Sequence, residues 1–322
     1  MMETALPNFH FHDLHPELGD FHSDVIAGLS RKTRRLSPKF FYDERGSQLF
    51  DAITRLPEYY PTRTEIDLLQ RHGEDMAEML GNDGLLFELG SGSDTKIRVL
   101  LDALQPRTYA PIDISREPLR LSAGAIAGDH PELQVHAICT DYSRPLALPD
   151  VVAAKQRSAF FPGSSIGNFD PGQACDLLRR IARIIGPEGR LLIGVDLKKA
   201  PSRLHAAYND SEGVTAQFNL NLLARINREL DADFDLAAFR HEAFYNAQLG
   251  RIEMHLVAIA PQRVRIDGCC FEFQAGESIH TENSYKFSVE EFQALAAQAG
   301  LVSLRVWQDD DALFSVHCLQ PT

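Results

Sequence analysis

Between about residues 62 and 197, short apolar runs alternate with stretches whose apolar residues recur every three or four positions. The runs read as buried strands and the periodic stretches as amphipathic helices. Thr64 to Leu80 predicts a helix. Leu85-Leu86-Phe87-Glu88-Leu89 predicts a strand, followed by the turn Gly90-Ser91-Gly92 and a helix carrying Ile97, Leu100, Leu101 and Leu104. Further strands are predicted at 109–115, 133–139, 158–161 and 190–197. Helices are predicted at 117–127 and along the stripe Ala174, Leu177, Leu178, Ile181, Ile184 and Ile185. Such alternation means a parallel sheet with crossover helices, whose ligands sit beyond the carboxyl ends of the strands. Gly90, Asp113, Asp141 and Asn168 all fall at or just after such ends.

From about 198 the rhythm changes. Val214, Phe218, Leu222, Ile226 and Leu230 mark a long helix, and 251–258, 263–266 and 270–273 alternate as antiparallel strands, so this stretch reads as a separate α+β lobe. A helix returns after Phe287, and two strands joined by Asp309-Asp310-Asp311 end the chain. That acidic run reads as a solvated turn. In the first 37 residues His10, His12, His15 and His22 alternate with Phe9, Phe11 and Phe21, which predicts an irregular arm rather than a metal-binding tract.

Composition narrows the function. A formal net charge of −13 over 322 residues argues against a nucleic-acid surface. No apolar run is long enough to span a bilayer, and the amino terminus lacks the apolar core of a signal peptide. Five cysteines without a regular framework fit reduced thiols and a cytoplasmic setting. No metal site is expected.

The glycine turn selects the cofactor class. Asp113 lies 23 positions after Gly90, where a carboxylate can hold ribose hydroxyls. The third glycine of a dinucleotide fingerprint is missing, and Asp94 falls where a pyrophosphate would need the helix N-terminus. A carboxylate there opposes an anion and suits a cationic ligand without phosphate. S-adenosylmethionine is such a ligand, so a methyltransferase is favoured over a dehydrogenase. A non-catalytic module that holds the same ligand is a further alternative.

Longer motifs make the reading specific. They are Phe41-Tyr42-Asp43, the run from Leu56 through Tyr59 to Glu65, Glu88-Leu89-Gly90-Ser91-Gly92-Ser93, and Gly163-Ser164-Ser165-Ile166-Gly167-Asn168. Ala207-Tyr208-Asn209-Asp210, Gly213-Val214-Thr215-Ala216, the run Arg225 to Glu229, Arg251-Ile252-Glu253-Met254 and Thr281-Glu282-Asn283-Ser284 follow. In this order the chain resembles the histidine-specific Nα-methyltransferases of ergothioneine biosynthesis.

The resemblance implies a class I (Rossmann-like) SAM-dependent methyltransferase domain, residues 62–197 plus 287–322, with a second α+β substrate-binding domain, residues 8–61 plus 198–286. It implies that Gly90, Lys96, Asp113, Asp141 and Tyr142 bind the cofactor, with Asp113 on ribose and Asp141-Tyr142 on adenine. It places histidine on Tyr59, Gly163, Asn168, Tyr208, Glu282 and Ser284. Asn168 and Tyr208 would take the substrate carboxylate, Glu282 and Ser284 would read the imidazole, and Tyr42 and Gly163 would lie near the amine. Tyr42 and Asn168 are the residues assigned to catalysis. The implied reaction is trimethylation of the α-amino group of L-histidine to hercynine, with S-adenosyl-L-homocysteine as coproduct and no obligate protein partner. A same-fold enzyme acting on another aromatic amino acid, such as tryptophan, is the alternative.

Overall fold

A computed structural model describes residues 6–14, 19–81, 84–92, 94–144, 149 and 157–322; Ser93 of the glycine turn and His15 of the histidine-rich segment lie outside them. The chain divides into two compact units. Met1–His15, Pro61–Lys198 and Lys286–Thr322 form the first, and Pro16–Tyr60 with Lys199–Tyr285 form the second.

The first unit is built on an eight-stranded sheet. Its order from one edge is Phe9–Asp13, Gln134–Cys139, Thr108–Asp113, Leu85–Leu89, Arg157–Phe161, Arg190–Asp196, Phe314–Pro321 and Leu301–Gln308. The first six strands are parallel; Phe314–Pro321 runs against them, and Leu301–Gln308, its partner in the terminal hairpin, returns to their direction. Helices cover both faces, which is why the central strands are apolar on both sides. On one face Leu86, Tyr109, Val135 and Phe160 pack with Leu68, Leu69 and Met76 of helix Tyr60–Leu80 and with Leu100 and Leu101 of Thr95–Leu104. On the other face Leu85, Phe87, Ile112, Phe161 and Ile193 pack with Leu177, Leu178 and Ile181 of Pro171–Ile185 and with Phe292 of Val289–Gln298. The strand order reverses between Leu85–Leu89 and Arg157–Phe161, so this is the point where such a sheet opens a crevice for a ligand.

The amino-terminal arm departs from expectation. Residues 9–13 are not irregular, and they do not group with 16–60; they form an edge strand parallel to Gln134–Cys139. The cause is visible in the alternation of Phe9 and Phe11 with His10 and His12. The two phenylalanines pack on the core, and His10 and His12 stack on His136 of the neighbouring strand. Asn8 fastens the start of the strand by donating to the carbonyls of Ala127, His130 and Leu133. Helix Tyr60–Leu80 begins ahead of the expected Thr64, with Pro61 in its first turn, where a missing N–H costs nothing. The Asp309 carboxylate is used internally and accepts from the amides of Asp311, Leu313 and Phe314.

The second unit has a four-stranded sheet in the order Arg34–Arg35, Ser278–Tyr285, Arg251–Ala258 and Phe239–Asn246, and a separate hairpin, Gln262–Ile266 with Cys269–Phe273. Helix Val214–Leu230 lies on the four-stranded sheet and buries Phe218, Leu222, Leu223 and Ile226. Ser278–Tyr285 contains a bulge. His280 pairs with His255, but Glu282 pairs with Met254, so Thr281 is an extra residue. One extra residue reverses which face the following side chains take. Glu282 and Ser284 therefore share a face with Met254 and Ile252, opposite to His280 and His255.

In the first unit, Glu88 on the central strand is fully enclosed. The Tyr109 hydroxyl donates to its Oε2, and its Oε1 has no hydrogen-bond partner among the described residues. Burial pushes this carboxyl from the ordinary 4.5 up to about 8. Between those two values the folded chain keeps the proton that the unfolded chain has released, so stability falls as pH rises through this window and is flat above it. Glu88→Gln removes that slope. Thermal melts across the same window are expected to show the variant gaining on the parent as pH rises; parallel curves would exclude the protonated carboxyl.

Candidate active site

The first-unit residues expected in the site lie at the carboxyl ends of the parallel strands or in the turns just beyond, except Lys96, which is in the first turn of helix Thr95–Leu104. Gly90 follows Leu85–Leu89, Asp113 ends Thr108–Asp113, and Asp141 and Tyr142 follow Gln134–Cys139. Gly163 follows Arg157–Phe161, and Asn168 ends the short turn Ser165–Asn168. Gly90 has φ of +74°, and a Cβ there would lie 3.4 Å from the Tyr142 hydroxyl. Gly163 has φ of +77°, and its Cβ would lie 3.3 Å from Lys96 Nζ and 3.5 Å from Ser165 Oγ. Only glycine takes this backbone readily and lets neighbours come so close. A Cβ on Gly92 would lie 3.7 Å from Asp113 Oδ2. Gly90, Tyr142, Ser165, Gly163 and Lys96 are thus gathered, with Asp113 beside Gly92.

The carboxylates are held by short local bonds. Asp113 Oδ1 accepts from the Ser115 amide at 2.7 Å, and burial raises the pKa of this carboxyl. Asp141 Oδ1 accepts from the amide and hydroxyl of Ser143. The Tyr142 ring packs against Phe161 and Phe169, and burial raises its phenol pKa, so the hydroxyl stays protonated. Asp94 precedes helix Thr95–Leu104 and pairs with Arg98 at 2.6 Å. That carboxylate occupies the place a phosphate would need.

Glu65 links these parts. Its carboxylate is fully buried, accepts from the Gly163 amide at 2.9 and 3.1 Å, and pairs with Lys96 Nζ at 2.6 Å. It fits against strand Arg190–Asp196 only because residue 194 is glycine, where a Cβ would lie 2.1 Å from Glu65 Oε1. The next residue of the loop is held as well: the Asp196 amide donates to Ser164 Oγ, and Asp196 pairs with Lys286 at 2.6 Å with both side chains 1% exposed.

The second unit gathers another set. The ring of Tyr42 meets Phe50 and Phe218, Phe50 meets Tyr59, and Tyr59 meets Tyr208 at 6.4 Å. The Tyr208 hydroxyl donates to Ser284 Oγ at 2.8 Å. Through the bulge, half-buried Glu282 lies on the same face of its strand as Ser284. Tyr42, Tyr59, Tyr208 and Ser284 are thus joined by direct contacts, and Glu282 is aligned with Ser284.

The chain is similar to known proteins. Residues 21–321 fit the family described as histidine-specific methyltransferase, SAM-dependent. The chain belongs to that family. It is 43% identical over 299 residues to the histidine N-alpha-methyltransferase of Mycobacterium tuberculosis, covering 91% of this chain and 92% of that one. It is 32% identical over 295 residues to the ergothioneine biosynthesis protein 1 of Neurospora crassa, covering 85% of this chain and 32% of that longer one. A solved structure from Pyrococcus horikoshii shares the fold, with a TM-score of 0.50 at 13% identity, covering 87% of this chain and 99% of that one.

The first unit of this methyltransferase thus has the class I, Rossmann-like architecture, and S-adenosylmethionine is the cofactor of the family. The donors present suit that molecule. A buried acid at the second strand end fits a ribose, the two tight glycines allow close approach, and the Asp94–Arg98 pair leaves no phosphate cradle. Glu253, His255 and His280 have ligand atoms within 4.8 Å of one another. The two imidazoles stack at 4.7 Å and 11°, so their lone pairs lie in separate, nearly parallel planes and do not converge on one ion, and Glu253 is engaged by Arg251 and Asn246.

Glu65 is the residue whose role sequence reasoning missed. It stood at the end of a recognised motif, and an isolated acid in a helix reads as surface. The only signal was its place on the apolar side, one turn ahead of Leu68 and Leu69. Glu65→Ala leaves a half-buried ammonium and a half-buried amide without their shared acceptor. Denaturant unfolding is expected to show a loss of about 2–4 kcal/mol, and calorimetry a weaker affinity for S-adenosylmethionine. Unchanged unfolding and unchanged affinity would remove the clamp.

Proposed function

We propose that this chain transfers three methyl groups to the α-amino nitrogen of L-histidine, forming hercynine and S-adenosyl-L-homocysteine, as the first step of ergothioneine biosynthesis. The observation that carries the reading is the joined set of Tyr59, Tyr208 and Ser284 with Glu282 aligned beside them, in a chain of the histidine-specific family. The pathway is that of the Neurospora relative, by its name. No described helix is long and apolar enough to cross a membrane, and all five cysteines are unpaired, which supports a cytoplasmic setting.

The residues divide the work. When bound, S-adenosylmethionine supplies a methyl group already activated by the sulfonium charge, so positioning is the main task left to the protein. Gly90 and Gly163 allow the close approach, Asp113 holds ribose hydroxyls, and Asp141 with Tyr142 holds adenine. Lys96, fixed by Glu65, offers a cation for a carboxylate. Tyr208 and Asn168 bind the histidine carboxylate through neutral donors, and Glu282 and Ser284 read the imidazole. The α-ammonium must lose a proton before each transfer, and in this reading a polar group or water near Tyr42 relays it. Aromatic faces tolerate the growing quaternary cation. After three transfers no N–H remains and methylation ends.

Mass spectrometry of an incubation with S-adenosylmethionine and an equimolar mixture of amino acids tests the reading. Three methyls on histidine alone are expected. Methylation of tryptophan instead would overturn the substrate and keep the chemistry. Glu282→Ala is expected to weaken histidine methylation by about 1–3 kcal/mol in kcat/KM; unaltered kinetics would take Glu282 out of imidazole recognition.

A further inference from the structure

Asn219 stands on the buried stripe of helix Val214–Leu230, beside Phe218 and one turn before Leu222 and Leu223, and is 0% exposed. A buried amide is tolerated when its donors and acceptor are all answered. Those of Asn219 are. One Nδ2 hydrogen goes to His241 Nδ1 at 2.9 Å and the other to the His255 carbonyl at 3.1 Å, while Oδ1 accepts from the Thr281 hydroxyl at 2.8 Å.

Both arms lead to residues assigned to substrate. On one arm, His241 gives its Nε2 hydrogen to the Tyr208 carbonyl at 2.8 Å. That bond fixes the tautomer and leaves Nδ1 as the acceptor Asn219 requires. Burial lowers the His241 pKa, which keeps the ring in this neutral form. On the other arm, Thr281 is the bulge residue itself, next to Glu282. Without the extra residue, Glu282 would point to the face of His280 and His255. With it, Glu282 and Ser284 turn to the opposite face. A bulge interrupts the ladder, and a side-chain lock on the extra residue offsets that loss.

We propose that Asn219, acting through His241 and Thr281, is a positioning residue that sets the substrate-recognition groups of this unit. One amide fixes the backbone of Tyr208 and the bulge that aims Glu282 and Ser284. This rests on the histidine reading above. Asn219 itself touches no substrate in this role, and its effect falls on histidine affinity rather than on the cofactor, whose assigned residues lie in the other unit.

The test uses the full chain and three variants. Asn219→Asp keeps the shape but turns two donor hydrogens into acceptor lone pairs facing acceptors. Thr281→Val removes the hydroxyl at constant volume, and Thr281→Ser keeps it. Histidine KM, S-adenosylmethionine KM and the melting temperature are measured for each. Asn219→Asp and Thr281→Val are expected to raise histidine KM about tenfold and to leave S-adenosylmethionine KM within about twofold, with Thr281→Ser near the parent. Equal shifts of both KM values with a lower melting temperature would mean that the amide only supports the fold and would overturn the proposal. An unmoved histidine KM in Thr281→Val would also overturn it, and that variant decides if Asn219→Asp does not fold. Absence of histidine methylation by the parent chain would remove the substrate reading together with the proposal, whereas methylation with unmoved constants removes only the positioning role.

Discussion

The carboxylate of Glu65 is enclosed, and an enclosed charge must be met by partners at bonding distance. Its two partners come from different parts of the chain: Lys96 from the helix after the glycine turn, and the Gly163 amide from the loop after the neighbouring strand. Much of the first unit follows from this requirement. Residue 194 must lack a side chain so that the carboxylate can sit against its strand. Gly163 takes a backbone that favours glycine while its N–H points inward. The adjacent Ser164 is held from the other side by the Asp196 amide, and Asp196 is itself fixed by Lys286. The loop that ends at Asn168 is therefore clamped between two ion pairs, one buried on both sides and one through its carboxylate. A loop that must present donors to a ligand gains most from such restraint, because the ordering is complete before the ligand arrives.

The second unit restrains its recognition groups without a buried ion pair at the point of control. Asn219 is neutral, and each of its hydrogens has an acceptor. Neutral networks avoid the cost of stripping water from ions, yet they lose as much order when one partner is altered, because a remaining donor is left buried and unmatched. The two solutions suit their duties. In the proposed reading, a charged clamp holds a lysine that is to meet a carboxylate, and a neutral one shapes a surface for an imidazole and a reacting amine.

The parallel sheet was legible because its central strands are apolar on both faces, its helices keep a clean period, and glycines punctuate the turns. Gly90, Asp113, Asp141 and Asn168 could be placed at strand ends for that reason alone. The strand at Phe9–Asp13 was also written in the chain, as strict alternation of Phe and His, but its histidines drew attention to composition instead of period. Phe239–Asn246 and Ser278–Tyr285 were harder. Ser278–Tyr285 carries buried polar residues on both faces, and the bulge at Thr281 breaks the alternation that would reveal it. Glu65 and Asn219 were not legible as anchors. A polar residue on an apolar stripe tells the reader that something answers it, but the partners lie 31 to 98 positions away for Glu65 and 22 to 62 for Asn219. Only packing discloses them.

The chemistry places a limit on how charge can be used around the substrate. An amine that receives methyl groups ends as a permanent cation, and a fixed ammonium or guanidinium close to it would oppose that product more with every transfer. In the proposed reading, recognition of the carboxylate through Tyr208 and Asn168 avoids this, since a hydroxyl and an amide bind a carboxylate without adding positive charge. The one charged group assigned to the substrate is Glu282, and its sign favours the product. The aromatic chain from Tyr42 through Phe50 and Tyr59 to Tyr208 supplies faces of negative potential. Lys96, the cation that the proposed reading assigns to the cofactor site, is bound to Glu65, so its charge is compensated where it stands. Weakening that compensation would therefore affect more than the anchor of one loop: it would release a positive charge in the unit proposed to hold a sulfonium, which is the ligand least able to accept one.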